Sequence, residues 1–211
     1  VANDYVDPAR MPTKLPEMEN FNWFNTTKGV FTYKWSLYSA GHANLDTTVD
    51  APKEDMVRDR EPGSWVLGDS GGFQIGKGVW EGDWKNPNCP KAKKKREQVL
   101  KWMDAYMDYG MILDIPAWVC RSPEGRKATN INSYEEAVQG TYINNDYFIN
   151  NRTGACKFLN VLQGENHQEA EDWYQRMKKY CDPAQYPDNH FNGWSMGGQN
   201  MCDIHLILHR L

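Results

Sequence analysis

Side chains that can bind a polar ligand or transfer a proton follow directly after four apolar runs of the sequence. These are Asp69-Ser70-Gly71-Gly72-Phe73-Gln74, Asp114, Gln163 and the pair Gly197-Gly198. Carboxylate, hydroxyl and amide groups can exchange protons and hydrogen-bond a ligand. Two adjacent glycines permit unusual backbone angles and leave room for a flat ligand beside the main chain. Phe73 adds a stacking face. The pattern indicates a site for a flat, polar ligand.

Each of these features also has a structural interpretation. The tetrapeptide Asp69–Gly72 alone equally suits a tight turn in which the aspartate caps a helix. Asp114 could cap a loop, and Gln163 could hold main chain in place. The complete hexapeptide after an apolar run is more specific than any single residue.

The apolar runs alternate with amphipathic segments, which predicts an α/β fold with parallel strands and crossover helices. Residues 1–30 are expected to form an irregular arm, and residues 31–211 the α/β part. We expect strands at 31–39, 65–67, 111–115, 157–162 and 191–196. Helices are expected at 91–109, ended by Gly110, then at 133–150, 166–180 and 201–211. Ser133 with Glu136, and Asn166 with Glu169, have capping spacing. The pattern does not separate a barrel from an open sheet.

The four segments together resemble the tRNA-guanine transglycosylase (queuine tRNA-ribosyltransferase) family. The matching segments are DSGGFQ at 69–74, LDI at 113–115, FLNVLQG at 158–164 and WSMGG at 194–198. They occur in the family's order and span roughly residues 60–200. The resemblance implies a (β/α)8 TIM-type barrel, of which about five of eight strands are expected here. It also implies an enzyme that exchanges guanine in nucleic acid for a 7-deazaguanine through an aspartate nucleophile.

The resemblance implies a role for each matching residue. Asp69 would transfer protons, with Ser70 beside it, and Phe73 would stack on the base next to the Gln74 amide. Asp114 would accept hydrogen bonds from the ring N–H and exocyclic amine of guanine. Gln163 would donate to the carbonyl oxygen of the base. The backbone of Gly197 and Gly198 would line the opposite edge.

Other features depart from the family. No residue matches its nucleophilic aspartate, which follows a later strand, and its zinc site would lie beyond Leu211. We therefore expect no cofactor in this chain, no activity of the chain alone, and completion by a C-terminal half or partner chain. Ile115–Trp118 and Gln199-Asn200 differ from bacterial tRNA enzymes. They are closer to relatives that place 7-deazaguanines in DNA, as some phages do, so both tRNA and DNA remain open as substrates.

Composition limits the protein class. A hydrophobic content of 40% and a charged content of 25% are typical of a globular protein. No apolar run approaches a membrane span, and the N-terminal residues lack signal-peptide character. Five widely spaced cysteines without a CxxC favour reduced thiols and the cytoplasm, or the host cytoplasm for a phage protein. His205 and His209 have helical spacing but no third ligand, so no metal site is expected.

The net charge of −4 argues against a general polyanion binder, although one basic block stands out. It contains Lys91, Lys93, Lys94, Lys95 and Arg96 at the start of a predicted helix. There the helix dipole disfavours cations. The block is either a solvated surface run or a patch that contacts nucleic-acid phosphates.

Two alternatives to the transglycosylase remain. The first is a non-catalytic nucleic-acid-binding or scaffolding subunit that retains the base site and depends on a partner. The second is an unrelated TIM-barrel enzyme in which DSGGFQ is a coincidence. Convergence of Asp69, Asp114 and Gln163 in the fold would argue against the second.

Overall fold

The computed structural model of the protein describes residue 24 and residues 32–210. The predicted arm at 1–30 lies outside this part of the chain, except for Phe24. The strands are β1 (Trp35–Ser39), β2 (Trp65–Asp69), β3 (Tyr109–Met111), β4 (Lys157–Leu162) and β5 (Gly193–Met196). The α-helices are α1 (Asp55–Arg58), α2 (Gly72–Gly76), α3 (Pro90–Tyr106), α4 (Pro123–Thr129), α5 (Tyr134–Asn151), α6 (His167–Met177) and α7 (Ile204–Arg210). Short 3-10 helices cover Pro52–Glu54, Ala117–Arg121, Lys178–Cys181 and Gly198–Met201.

All five strands are parallel and pair in chain order, β1-β2-β3-β4-β5. Each connection therefore advances by one strand in the same direction. Since parallel crossovers are almost always right-handed, such an order winds the connecting helices onto one face of the sheet. The strand order never reverses between β1 and β5, which distinguishes this sheet from a doubly wound one. The predicted α/β class with parallel strands is confirmed.

The two faces of the sheet differ in burial. Tyr38, Val66 and Phe158 belong to the face that packs against the helices, and each is fully buried. The main core lies between this face and buried residues of α3, α5 and α6. These are Val99, Trp102, Met103, Phe148, Trp173 and Met177. On the other face, Leu67 and Leu159 are partly exposed and Trp35 is 48% exposed.

Two helix starts follow the predicted capping chemistry. The Ser133 side chain accepts a hydrogen bond from the Glu136 backbone N–H at the start of α5. Asn166 does the same for Glu169 at the start of α6. Each cap satisfies a backbone donor that has no partner within the helix. The α5 and α6 helices therefore begin at the predicted residues.

The predicted end of helix α3, at residue 109 with Gly110 as its cap, is wrong. Helix α3 ends at Tyr106, and Gly110 lies inside strand β3 instead of capping the helix. A Cβ atom on Gly110 would lie 2.5 Å from Met103 Sδ and 3.1 Å from the Phe158 ring. Close packing of the strand against α3, and not a turn, requires glycine at this position. Strand β3 was predicted at 111–115, but it is shorter and lies earlier in the chain, at Tyr109–Met111.

Smaller differences concern the other elements. Strand β1 begins at Trp35 and β5 at Gly193, while β2 extends to Asp69. Strand β4 matches its predicted bounds. The last predicted helix is divided into a 3-10 turn and α7.

No helix within the described residues is long and apolar enough to cross a membrane. All five cysteines are free thiols in the structure.

We predict that Gly110→Val lowers the free energy of unfolding by about 1–3 kcal/mol, because the added side chain overpacks the contact with Met103 and Phe158. Met111→Val is the matched control, since Met111 is the next residue of β3 and points to the partly exposed face. Urea denaturation of both variants measures the difference. Equal stability of the two variants would show that the sheet does not approach α3 as closely as described.

Candidate functional site

The carboxyl ends of the five strands meet at one edge of the sheet, because the strands are parallel. Ser39 and Asp69 are paired residues at the ends of β1 and β2. Asp114, Gln163 and Gly197 follow the ends of β3, β4 and β5 by one to three residues. The predicted polar residues are thus collected at the edge where parallel α/β folds place their chemistry.

The centre of the site is a hydrogen bond between two buried side chains. Gln163 Nε2 donates to Asp114 Oδ2 at 2.6 Å. Asp114 is only 4% exposed and Gln163 only 3%. The Ala117 backbone N–H approaches Gln163 Oε1 at 3.4 Å and orients the amide. Because burial of a carboxylate is costly, a buried carboxyl–amide pair at a strand edge marks a candidate functional site.

Glycines allow main chain to approach this pair from two sides. A Cβ atom on Gly72 would lie 3.2 Å from Asp114 Oδ1. On the other side, a Cβ on Gly197 would lie 2.6 Å from Gln163 Nε2, and one on Gly198 would lie 2.6 Å from Gln163 Oε1. Gly198 also has a positive φ of 58°, which disfavours other residues. The two glycine pairs of the sequence thus contact the same polar centre.

Asp69 lies beside this centre and has its own partner. Ser39 Oγ donates to Asp69 Oδ2 at 2.5 Å, and the Gly41 backbone N–H donates to Ser39 Oγ at 3.1 Å. Asp69 does not cap helix α2, whose N-cap is Gly71 with a φ of 83°. Ser39 was not among the predicted site residues. It could have been found as the polar end of the first strand, one strand before Asp69.

Burial raises the pKa of Asp114 to about 7, because the charged form loses its hydration. The hydrogen bond from Gln163 favours the ionised form and opposes this rise, while the negative charge of Asp69 adds to it. Asp69 is therefore close enough to interact electrostatically with Asp114. The two carboxyl groups therefore lie at the same strand edge and within electrostatic reach of each other.

Helix α5 fixes the segment that carries Asp114. Thr141 Oγ1 accepts from the Ile115 backbone N–H at 3.0 Å, and Asn144 Nδ2 donates to the Leu113 carbonyl at 2.6 Å. These bonds hold the residues on both sides of Asp114. Neither helix residue was predicted, because a polar residue on the buried side of a helix gives no indication of its distant partner.

Arg96 belongs to this support, which corrects one prediction. The basic block was expected to lie on the surface, but Arg96 is only 2% exposed. Its Nε donates to Asn144 Oδ1 at 2.6 Å. Arg96 thus orients the amide that binds the Leu113 carbonyl, and it is not available to a phosphate. The other members of the block, Lys91, Lys93 and Lys94, are exposed, and Lys95 is partly exposed.

Other predicted residues lie around the centre. Phe73 is 60% exposed, and its ring centroid is 6.0 Å from that of Trp118. Ser70 is buried in the turn after β2. The Gln74 side chain does not join the Asp114–Gln163 pair in any described contact. It packs against Gly41, where an added Cβ would lie 2.2 Å from Gln74 Cδ, and its buried Oε1 has no hydrogen-bond donor.

Within the described part of the chain, no group of three potential ligand side chains could hold a metal ion. His209 contacts the edge of the His167 ring, with centroids 5.1 Å apart.

No protein-family model matches the chain, and no curated protein and no solved structure matches it either. The functional assignment therefore depends on the geometry around Asp114.

We predict that Asp114→Asn changes the pH dependence of stability. The folded-state pKa lies above the unfolded value of about 3.9, so the folded protein binds the proton more tightly. The stabilising contribution of the protonated carboxyl is complete below about pH 4 and is lost as pH rises through about 7. Replacement by the neutral amide removes this loss. As pH rises from 5 to 8, the free energy of unfolding of the variant should therefore increase by roughly 2.5 kcal/mol relative to that of the wild type.

The measurement is the free energy of unfolding in urea at pH 5, 6, 7 and 8. Asp188→Asn, at an exposed aspartate, is the control and should follow the wild-type curve. If the Asp114→Asn and wild-type curves run parallel, Asp114 titrates normally and is not buried as described.

Proposed function

We propose that the chain provides the base-recognition part of a transglycosylase that exchanges guanine in nucleic acid for a 7-deazaguanine. The observation that carries the proposal is the Asp114–Gln163 pair. Gln163 Nε2 is a donor that stands 2.6 Å from Asp114 Oδ2, and Asp114 Oδ1 is a second acceptor on the same carboxylate. The pair thus presents a donor followed by two acceptors.

This order complements one edge of guanine. That edge presents the carbonyl oxygen as an acceptor, followed by the ring N–H and the exocyclic amine as donors. One N–H of the Gln163 amide can remain on Asp114 while the other donates to the base carbonyl. Adenine presents a donor where guanine has its carbonyl, so it would meet the Gln163 donor with a like group. Replacing N7 of the five-membered ring by carbon leaves the recognised edge unchanged, so 7-deazaguanines fit equally.

The raised pKa of Asp114 suits this task. Near pH 7 the free carboxyl is divided between its neutral and ionised forms. Two N–H donors from a base favour the ionised form and compensate for its lost hydration. Because Asp114 and Gln163 are both nearly buried, a bound base must displace neighbouring side chains. Water is then excluded and the hydrogen bonds to the base are strengthened.

Asp69 is assigned to proton transfer. It lies at the same strand edge, is partly exposed, and is held by Ser39 Oγ. A departing guanine carries negative charge on its ring and gains a proton from a neighbouring acid. The incoming base loses a proton when it bonds to the sugar. A single carboxyl group that first donates and then accepts can serve both steps.

The sheet supports a (β/α)8 barrel as the parent fold, since sequential parallel strands are the order of a barrel. No residue here matches the nucleophilic aspartate of the resembled family. We therefore propose that polypeptide outside this chain supplies the nucleophile, and that the chain alone does not exchange bases. The nucleic acid is tRNA or DNA, and the free thiols suit the cytoplasm.

We predict that the chain binds guanine more tightly than hypoxanthine, which lacks the exocyclic amine, and that adenine binds weakest. Leaving a buried polar group unpaired costs about 1–3 kcal/mol, or roughly tenfold to hundredfold in affinity. Asp114→Asn should lose about the same factor in guanine affinity. Guanine presents two N–H donors here, whereas the asparagine amide offers only one acceptor and places a donor against the other N–H. The stability of this variant at pH 8 should not fall.

Isothermal titration calorimetry gives the three affinities, and Asp188→Asn is again the control. If guanine, hypoxanthine and adenine bind equally, or if Asp114→Asn leaves guanine binding intact, Asp114 does not read a guanine edge. Incorporation of labelled guanine into tRNA and duplex DNA tests the exchange itself. Turnover by the chain alone would disprove the missing-nucleophile assignment.

A further inference from the structure

A groove beside the site is formed by the segment after α2 and the first turns of α3. It has a volume of about 470 Å³ and is lined by Gly78, Val79, Trp80, Glu81, Lys91, Lys94, Lys95 and Gln98. Val79 is 67% exposed and provides an apolar wall. Lys95 Nζ lies 4.8 Å from the centre of the Trp80 ring. The groove thus combines apolar surface with several cations.

The lysines of this groove are placed where they destabilise the free protein. They occupy the first turns of α3, and the first turn contains no acidic residue. A cation in the first turn of a helix, such as Lys91, is unfavourable because it faces the positive end of the helix dipole. The pKa of Lys95 is lowered by burial and by the charge of Lys94. Glu81, 3.8 Å from Lys91, is the one acidic residue of the lining. In a protein with a net charge of −4, this local excess of cations favours an anionic partner.

A neighbouring cavity of about 580 Å³ differs from the groove in its charge balance. Its lysines are balanced by an equal number of acids, and the charged residues are Lys77, Lys91, Lys127, Glu81, Asp83 and Glu124. Of these two cavities, the groove next to α3 has an excess of positive charge.

The groove is directly connected to the base site. Trp80 packs on the DSGGFQ turn, where a Cβ atom on Gly71 would lie 2.5 Å from Trp80 Cη2. The Val79 and Trp80 backbone N–H groups both donate to the Gln74 carbonyl, at 3.0 and 3.1 Å. The segment 78–81, which follows helix α2, thus forms one wall of the groove.

Aromatic surface lies on helix α2 and on the 3-10 helix Ala117–Arg121, next to Lys77, which lines the neighbouring cavity. Lys77 Nζ is 5.5 Å from the centre of the Phe73 ring and 5.7 Å from that of Trp118. The Phe73 and Trp118 rings are inclined at 56° to each other. Exposed rings beside a cation can stack on a base whose face is free and can contact the adjacent phosphate. A paired base within a duplex does not offer its face.

We propose that this groove binds the backbone of an unpaired nucleic-acid strand next to the exchanged base. Phosphates contact Lys91, Lys94 and Lys95, and a neighbouring unpaired base contacts Trp118 beside Lys77. The inference rests on the proposed function for the position of the target base, but the groove can be tested independently. It selects three lysines of the basic block and excludes Lys93, which does not line the groove, and Arg96, which is buried.

The test compares Lys94→Gln with Lys93→Gln in the full chain. Both lysines are exposed neighbours, and both changes remove one charge, but only Lys94 lines the groove. The probes are fluorescently labelled 12-nucleotide single strands of DNA and RNA, and the corresponding duplexes, titrated at several salt concentrations. Lys94→Gln should lower the slope of log affinity against log salt by about 0.7 for single strands. Lys93→Gln should leave the slope unchanged.

The triple variant Lys91→Gln, Lys94→Gln, Lys95→Gln should lower the slope by about 2 and the affinity at 0.1 M salt by roughly a hundredfold. Single strands should bind more tightly than duplexes, with DNA and RNA compared to identify the natural strand. Equal effects of Lys93→Gln and Lys94→Gln would overturn the proposal. So would a preference for duplex, or equal competition by polyglutamate.

Free-guanine affinity, measured in parallel, separates the two proposals. Guanine binding without single-strand binding would overturn the groove and leave the proposed function standing. Single-strand binding with the predicted lysine dependence, but without guanine binding, would support the groove and contradict the base site.

Discussion

Five parallel strands paired in chain order place every strand end, and every segment that follows one, at the same edge of the sheet. Residues separated by more than a hundred positions, such as Ser39 and Gln163, become neighbours of one site by this constraint alone. The helices wind back on one face and need contribute only packing. Helix α5 contributes more, since Thr141 and Asn144 hold the backbone on either side of Asp114. The sheet therefore brings the site together, and the helix layer fixes its geometry.

In this site, a feature that lowers the stability of the free protein is one that would favour ligand binding. A carboxyl group with a pKa near 7 is one that the folded protein prefers to keep neutral. The ionised form costs about 1.4 kcal/mol for each pH unit by which the pKa is raised. Gln163 supplies one hydrogen bond and leaves the second oxygen for a ligand. In the proposed complex, a base with two adjacent N–H donors would complete the solvation of the carboxylate, so the residue that weakens the free protein would strengthen the complex. The proposed groove applies the same argument to the lysines at the start of α3 and a polyanion.

The sequence predicted the parts of the fold that depend on local chemistry. Ser133 and Asn166 cap their helices because a side-chain oxygen and a backbone N–H three residues later need no other element. Asp69, Asp114 and Gln163 could be placed at one edge because parallel strands share their direction.

Features that depend on distant contacts were not predictable. Gly110 has the sequence position of a helix cap, and only the approach of Met103 and Phe158 shows it to be a strand glycine. Arg96 reads as part of a basic run, although Asn144, 48 residues away, binds it in the interior. The packing of Gln74 against Gly41, from the loop after β1, was likewise not visible in the sequence. In each case a contact between residues distant in the chain determines the position.

In the proposed function, the Asp114 carboxyl, largely protonated in the free site below pH 7, becomes an ionised acceptor for a guanine edge. Proton release on binding measures this directly. Calorimetric titration of guanine at pH 6, repeated in buffers of different ionisation enthalpy, gives the number of protons exchanged. The wild type should release about one proton for each guanine bound, since a pKa near 7 leaves roughly nine-tenths of the carboxyl protonated at this pH. Asp114→Asn should release none. Guanine binding to the wild type with no proton release would contradict the account.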